Sequence, residues 1–316
     1  MTPLTELPST ITDQRWLLVT PARDEAARLP LLAASLRAQR SQPIGLWVIV
    51  DDGSNDATGT CVDVSTLDFP VVTITRQRGS GLAGGGAFAA FFAGAQEGLR
   101  AFPTATHVMK LDADVILTDG FFAQLQLVGG AGILGGVVAS GGADREQLDH
   151  IPGFVKGYSR AVFDLVSELP VAIGLDVIDE SVARLAGFPV EPVAAAHVLL
   201  QRTIGASEGN LRGRWRNGRV SRWTGYDPGY FLIRLLRYLA RRPYVVGSLA
   251  MLWGYLSAGS GPFPTAARRE FRGKQRAKLR ALLSHPLNTS RALYSPAEGC
   301  GDPRCCPVGR RRLTQP

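Results

Sequence analysis

Cysteine is scarce in this chain and badly placed for cross-linking. Cys61 stands alone, and Cys300, Cys305 and Cys306 crowd the tail with no nearby His and no Cys-x-x-Cys spacing. A disulfide framework and a zinc ribbon are therefore excluded, and a reducing cytosol is the simplest setting. No apolar run reaches the ~20 residues that cross a bilayer. The nearest, Tyr244 to Ala258, is uncharged but is followed by Gly259, Gly261, Pro262 and Pro264. Met1 to Gln14 lacks a basic start followed by an apolar stretch, so no signal peptide is expected. There is no Gly-Lys-Ser/Thr, hence no P-loop, and neither internal repeats nor a long low-complexity linker appears. Acid is missing from one half. Residues 1–200 hold 13 Lys/Arg against 22 Asp/Glu, a balance of −9, whereas residues 201–316 hold 22 against 5, a balance of +17. An acidic half suits the concentration of cations, and a basic half suits anionic lipid or phosphate. Nucleic acid is not an expected partner: the basic half has no recognisable RNA-binding motif with interleaved aromatics, and the acidic half would repel phosphates.

What is present, in 316 residues of which 45% are hydrophobic, is enough for a large core. Apolar strands read at 16–20, 46–51, 71–75 and up to Asp112. Helical spacing reads between them at 24–39, 56–67 and 87–100. Alternating strands and helices imply an α/β fold with a mostly parallel sheet and right-handed crossovers. Further strands read at 132–140 and 191–202. The division expected is a catalytic domain over 1–222, a helical segment over 223–264 and a basic tail over 265–316.

Three of these strands end in polar groups. Leu17-Leu-Val-Thr-Pro-Ala-Arg-Asp-Glu25 is the first, Val48-Ile-Val-Asp-Asp-Gly-Ser-Asn-Asp-Ala-Thr58 the second, and His107-Val-Met-Lys-Leu-Asp-Ala-Asp-Val115 the third. In an α/β sheet the binding crevice lies at the carboxyl ends of the strands. Alternation along a strand would point Asp112 and Asp114 the same way, together with Lys110. Paired carboxylates suit a hard divalent cation such as Mg²⁺ or Mn²⁺, which can in turn hold a diphosphate.

The ordered combination resembles the inverting glycosyltransferases of family 2, which have the GT-A fold. Pro21-Ala-Arg-Asp-Glu25 is similar to their opening Pro-Ala-x-Asn-Glu, Val50-Asp-Asp-Gly-Ser54 to their nucleotide-binding signature, and Leu111-Asp-Ala-Asp114 to their metal motif. The resemblance covers residues 16 to about 205. It implies a metal-dependent enzyme that moves a sugar from a nucleotide-sugar, a UDP-sugar by expectation, to a hydroxyl of a glycan or lipid-linked saccharide in cell-surface polysaccharide or glycolipid synthesis. The residues it implies for the donor are Pro21, Arg23, Glu25, Asp51, Asp52, Arg78, Gly79 and Asp112. Asp112, Asp114 and His197 are implied for a divalent cation, His197 standing where the family often places a further ligand. The base in this family is the Asp of a Glu-Asp pair that opens a helix after the acceptor-binding segment, here Gly153 to Arg160. The matching stretch, Gly174-Leu-Asp-Val-Ile-Asp-Glu180, points to Asp179. Ile178 replaces the Glu, which leaves Asp176 and Glu180 open as alternatives.

A rival from another class is an NAD(P)- or FAD-dependent oxidoreductase. Gly79-Ser-Gly-Leu-Ala-Gly84 matches Gly-x-Gly-x-x-Gly, but it follows the third strand and no acid for a ribose stands near Arg100 to Thr106. A third reading is a non-catalytic relative that binds sugar nucleotide without turnover. In the basic half, Leu232, Leu235, Leu236 and Leu239 form one helical face while Arg234, Arg237 and Arg241 lie on another, the pattern of a helix resting in a membrane interface. With the apolar run that follows, residues 227–264 are expected to make peripheral contact with the inner face of the plasma membrane from the cytoplasm. Arg214-Trp215 shares part of the Gln-x-x-Arg-Trp motif of processive synthases, but Leu211 stands in place of the Gln, so addition of one or few sugars is expected.

Overall fold

The computed structural model describes residues 14–39, 43–77, 86–139, 150–202, 210–239 and 243–284. Strand β1 (Trp16–Ala22) leads through helix α1 (Leu29–Arg37) to β2 (Ile44–Asp51), and β3 (Val71–Thr75) leads through α2 (Gly86–Ala101) to β4 (His107–Leu111). A short β5 (Val115–Leu117), α3 (Phe121–Gln126), β6 (Ile133–Val138), β7 (Val155–Ser159), α4 (Arg160–Ser167), α5 (Leu175–Leu185) and β8 (Val190–Leu200) complete the sheet region. Four helices follow: α6 (Asn210–Trp223), α7 (Pro228–Leu239), α8 (Tyr244–Ser257) and α9 (Thr265–Ser284).

The eight strands make one sheet in the order β3-β2-β1-β4-β7-β6-β8-β5. The first four in that row are parallel, so β1, β2 and β4 deliver their carboxyl ends to one edge. From there the sheet is mixed, because β7 runs antiparallel to β4 and β6, and β5 antiparallel to β8. The near-continuous apolar runs of β1 and β2 reflect burial on both faces. Trp16, Leu18, Trp47 and Ile49 pack toward α1, whereas Leu17, Val19, Val48 and Val50 pack toward α2. Helix α2 lies close on the sheet because Gly94 and Gly98 carry no side chain there. A Cβ at Gly94 would fall 2.4 Å from Val50 Cγ2, and one at Gly98 would fall 2.6 Å from Leu17 Cδ1.

Two sequence expectations change. Residues 56–67 form turns and a single 3₁₀ turn (Val64–Thr66) instead of a helix. The side chains there compete for the backbone: Asp56 Oδ1 accepts from Thr58 N–H at 3.0 Å, and Asp63 Oδ1 accepts from Ser65 N–H at 3.1 Å. The strand reaching toward Asp112 stops at Leu111, and β5 then pairs with β8 at the far side of the sheet.

The C-terminal helices pack on one another and on α5. Helices α6 and α8 touch through glycines, since a Cβ at Gly218 would sit 1.9 Å from Met251 O and one at Gly254 would sit 1.9 Å from Trp215 O. Gly174, at φ +93°, seats the start of α5 against Val220, Thr224 and Phe263. No helix among the described residues is long and apolar enough to cross a membrane.

Candidate active site

The tips of β1 and β2 are tied together by side-chain to backbone bonds. Asp51, nearly buried, accepts from Ser54 N–H at 2.9 Å, and Ser54 Oγ accepts from Asp24 N–H at 3.0 Å. Asp24 takes a left-handed conformation (φ +52°), which Asp tolerates better than most residues, and its Oδ1 accepts from Asn55 N–H at 2.8 Å. Glu25 N–H donates to Thr58 Oγ1 at 2.8 Å. Asp52 lies beside Arg76, whose Nε is 3.2 Å from Oδ1 without hydrogen-bond alignment, so this buried acceptor has no hydrogen-bond donor among the described residues. Pro21 is half-buried in β1, and Arg23 reaches Asp24 at 3.5 Å. Arg78, Gly79 and the rest of the glycine run up to Gly85 lie outside the described residues.

Asp112 and Asp114 occupy a turn rather than a strand. Asp112 C=O accepts from Val115 N–H at 3.2 Å, and Ala113 between them is buried. Strand alternation therefore does not orient the pair; the turn does. Lys110 Nζ donates to Asp112 Oδ1 and to Gly153 C=O, the latter at 2.9 Å. Asp114 pairs with Arg202, whose Nε lies 2.5 Å from Oδ2. The same guanidinium reaches Glu25 at 2.9 Å, and Arg28 holds the other Glu25 oxygen at 2.9 Å. Asp51 is thus tied through Ser54 to Asp24, and the next residue in the chain, Glu25, is tied through Arg202 to Asp114.

His197 stands apart from this group. In the β5–β8 ladder Leu117 opposes Val198, and the pairing continues until Gln201 N–H meets Asp114 C=O at 2.9 Å. His197 lies four residues back along that strand, where its carbonyl accepts from Thr118, about 13 Å by the rise per residue. Its Nδ1 is buried without a hydrogen-bond partner among the described residues. Among the described residues no group of three or more His, Cys, Asp or Glu side chains gathers as a metal cage.

The three acids of α5 have three different surroundings. Asp179 is fully buried: its carboxylate accepts from Tyr158 Oη at 2.7 Å and faces Lys156 Nζ at 3.1 Å. Glu180, also buried, meets Lys156 Nζ at 3.2 Å, His150 Nδ1 at 2.8 Å and Arg184 at 3.0 Å. Burial pushes the Asp179 carboxyl up, with Lys156 pulling the other way. For Glu180 burial is outweighed by Lys156, His150 and Arg184, so its carboxyl sits far below the usual range. Asp176 is only half-buried, and its Oδ2 lies 3.3 Å from where a Cβ on Gly153 would be. Because the Gly153 carbonyl binds Lys110, and Lys110 binds Asp112, Asp176 borders the strand-tip group.

Partners that the sequence did not reveal include Arg202, Lys156, Tyr158 and Thr58, as well as Arg28, His150 and Arg184. Arg202 ends the stretch read as a strand, and a cation placed at such an end was the available signal. Lys156 and Tyr158 alternate within Gly153–Arg160, but only the fold reveals that both point at α5.

No family model matches the chain, and no curated protein matches it in sequence. Among solved structures it is similar to the mannosyltransferase PcManGT from Pyrobaculum calidifontis in complex with GDP-Man and Mn²⁺. The TM-score is 0.52 and the identity 16%, over 90% of this chain and 86% of that one. It is also similar to S. aureus TarS 1–349 in complex with UDP-GlcNAc, with a TM-score of 0.48 and 12% identity, over 89% and 90% of the two chains. The α/β fold expected from the strand-tip motifs is thus the fold of a known glycosyltransferase.

Proposed function

We propose that the protein is an inverting glycosyltransferase that takes a sugar from a nucleotide-sugar, a UDP-sugar by preference, and passes it to a hydroxyl of a glycan or lipid-linked acceptor. The observation that carries this reading is that the segment Asp24-Glu25 is bonded on one side through Ser54 to Asp51 and on the other through Arg202 to Asp114, at the carboxyl ends of parallel strands, where an α/β sheet binds its ligand. Asp51 and Asp52 bind the nucleoside; Asp52 Oδ1 is a buried acceptor that sits beside Arg76 and has no hydrogen-bond donor among the described residues. Asp112 and Asp114 fit a divalent cation by their chemistry, as hard oxygens that each already attract a cationic head, from Lys110 and Arg202. Two carboxylates with the rest of the shell supplied by phosphates and water is the usual manner for Mg²⁺. When bound, the cation neutralises charge on the departing diphosphate. Similarity to a fold-mate whose structure holds GDP-Man and Mn²⁺ supports the donor class and the cation.

The acceptor's proton needs a base open to the site. Asp176 is half-buried and borders Gly153, whereas Asp179 has no exposed surface and is engaged by Lys156 and Tyr158. We therefore place the base at Asp176 and give Asp179 the task of fixing α5, to which Lys156 also bonds at the Asp176 carbonyl (2.5 Å).

A lipid-linked acceptor fits the outer face of α7 and α8. Leu232, Leu236, Val246, Leu249, Trp253 and Leu256 are each more than half exposed and form an apolar surface on a strongly basic region. Its occupant is the surface of an anionic bilayer, into which the apolar groups sink while arginines and lysines meet headgroups. Helix α8, 14 residues and about 21 Å long, lies along such a surface and does not span it.

The test is a screen of nucleotide-sugars for hydrolysis and transfer with added Mn²⁺, run beside Asp114→Asn. Product from the wild type and loss of turnover in the folded variant is the expected result; full activity in Asp114→Asn would overturn the cation assignment. Melting in the presence of NADH or of UDP with Mn²⁺ separates the oxidoreductase reading, because only a bound ligand raises the transition.

A further inference from the structure

A single guanidinium bridges two nearly buried carboxylates, one of which, Asp114, is the residue proposed above for a divalent cation. Arg202 Nε contacts Asp114 at 2.5 Å and another of its nitrogens contacts Glu25 at 2.9 Å, yet the arginine side chain is 40% exposed. Glu25 does not depend on Arg202 for its place, since Arg28 binds its other oxygen and its own backbone N–H is held by Thr58. Asp114 has no other side-chain partner among those described, so Arg202 supplies its counter-charge. A divalent ion on Asp114 would lie within a few ångströms of that guanidinium, where like charges repel strongly in a partly desolvated pocket. Arg202 sits two residues past the end of β8 and presents five donors in a planar fork that matches phosphate oxygens.

We propose that Arg202 is the resident counterion of the donor site: it occupies Asp114 until a cation-bound diphosphate arrives, then leaves Asp114 for the diphosphate while Glu25 keeps it within reach. This rests on the donor and cation roles argued above. Glu25 is thereby a positioning residue, and Arg202 touches the donor only in the loaded state. The exchange leaves the site's charge nearly balanced in both states: one guanidinium against two carboxylates when empty, and a cation, a guanidinium and a diphosphate against the same carboxylates when loaded. It also discourages the site from binding a bare metal ion, which would have to evict Arg202 with no phosphate to receive it.

Mn²⁺ binding to the full chain, followed by the electron paramagnetic resonance signal of free ion, tests this with Mn²⁺ alone and with Mn²⁺ plus UDP. Arg202→Gln is expected to bind Mn²⁺ alone about tenfold more tightly than the wild type, the sign expected when a neighbouring positive charge is removed. The same variant should bind UDP in the presence of Mn²⁺ more weakly, because the diphosphate loses its fork. A merely structural arginine predicts neither change, or a loss of both. Arg202→Lys, which keeps the charge but lacks the planar fork for phosphate oxygens, should fall between, and it carries the test should the glutamine variant fail to fold. Unchanged or weaker Mn²⁺ binding in a folded Arg202→Gln overturns the proposal. Asp114→Asn distinguishes the failures. If it loses Mn²⁺ while Arg202→Gln gains none, only the counterion role falls. If Asp114→Asn binds Mn²⁺ as the wild type does, the cation assignment falls and the counterion role with it.

Discussion

Two clusters of the same residue types, carboxylates around a cation, lie at opposite ends of the exposure range. At the strand tips, Asp114 and Glu25 share Arg202, a side chain with 40% of its surface open. Beneath α5, Asp179 and Glu180 share Lys156, which is fully buried and also bonded to the Asp176 carbonyl. The buried ions cannot exchange partners with solvent, so their cluster acts as a fastening between β7 and α5. The open ions can exchange, and in the exchange proposed for Asp114 the cation brought in with the diphosphate takes the place of Arg202. Chemical identity alone does not separate a structural ion cluster from a binding one; the surrounding dielectric and access to solvent do.

The strongest way to break this contrast is Lys156→Met. It keeps the volume but leaves the buried Asp179 without its cation, Glu180 keeping Arg184 and His150, and a loss of about 3–5 kcal/mol in urea unfolding is expected, as when one partner of a buried pair is removed. A loss no larger than that of an exposed pair would mean that water reaches the cluster. The next effect sharpens the contrast within α5. Asp176→Asn should lower kcat by about 10²–10⁴-fold, the range for a lost general base, with little change in melting temperature. Asp179→Asn should do the reverse, lowering stability more than turnover; an intact melt with abolished turnover in that variant would move the base to Asp179. The smallest effect concerns the basic half. Leu249→Ser with Trp253→Ser should weaken binding to vesicles of anionic lipid by more than about tenfold, since burying one Leu-sized side chain is worth ~1.5–3 kcal/mol. Sedimentation of the wild type as a dimer that this double variant disperses would assign the face to a second copy instead.

Much of the strand-tip half was legible because its signals are local. Apolar runs ending in Asp51 and Asp112 mark β2 and β4, and order along the chain fixes which tips lie together in a parallel sheet. The antiparallel insertion of β7 was not legible, since its five residues carry a Lys, a Gly and a Tyr in place of a periodic apolar pattern. Lys156 looks like a surface residue until α5 is laid over it. The loop at 56–67 misled for a related reason: its spacing suits a helix, but Asp56 and Asp63 satisfy nearby N–H groups first. His197 and Asp114 are joined by the resemblance and separated by register, which only strand pairing reveals.

The glycine at 174 gives the two halves of the molecule a common wall. Val220 and Thr224 press on it from the basic side, and α5 begins one residue later with Asp176 in its first turn. A displacement of the C-terminal helices would be transmitted to that backbone, where there is no side chain to absorb it. Under the proposed membrane contact and the proposed base at Asp176, arrival at a surface and alignment of the proton acceptor would be one mechanical event.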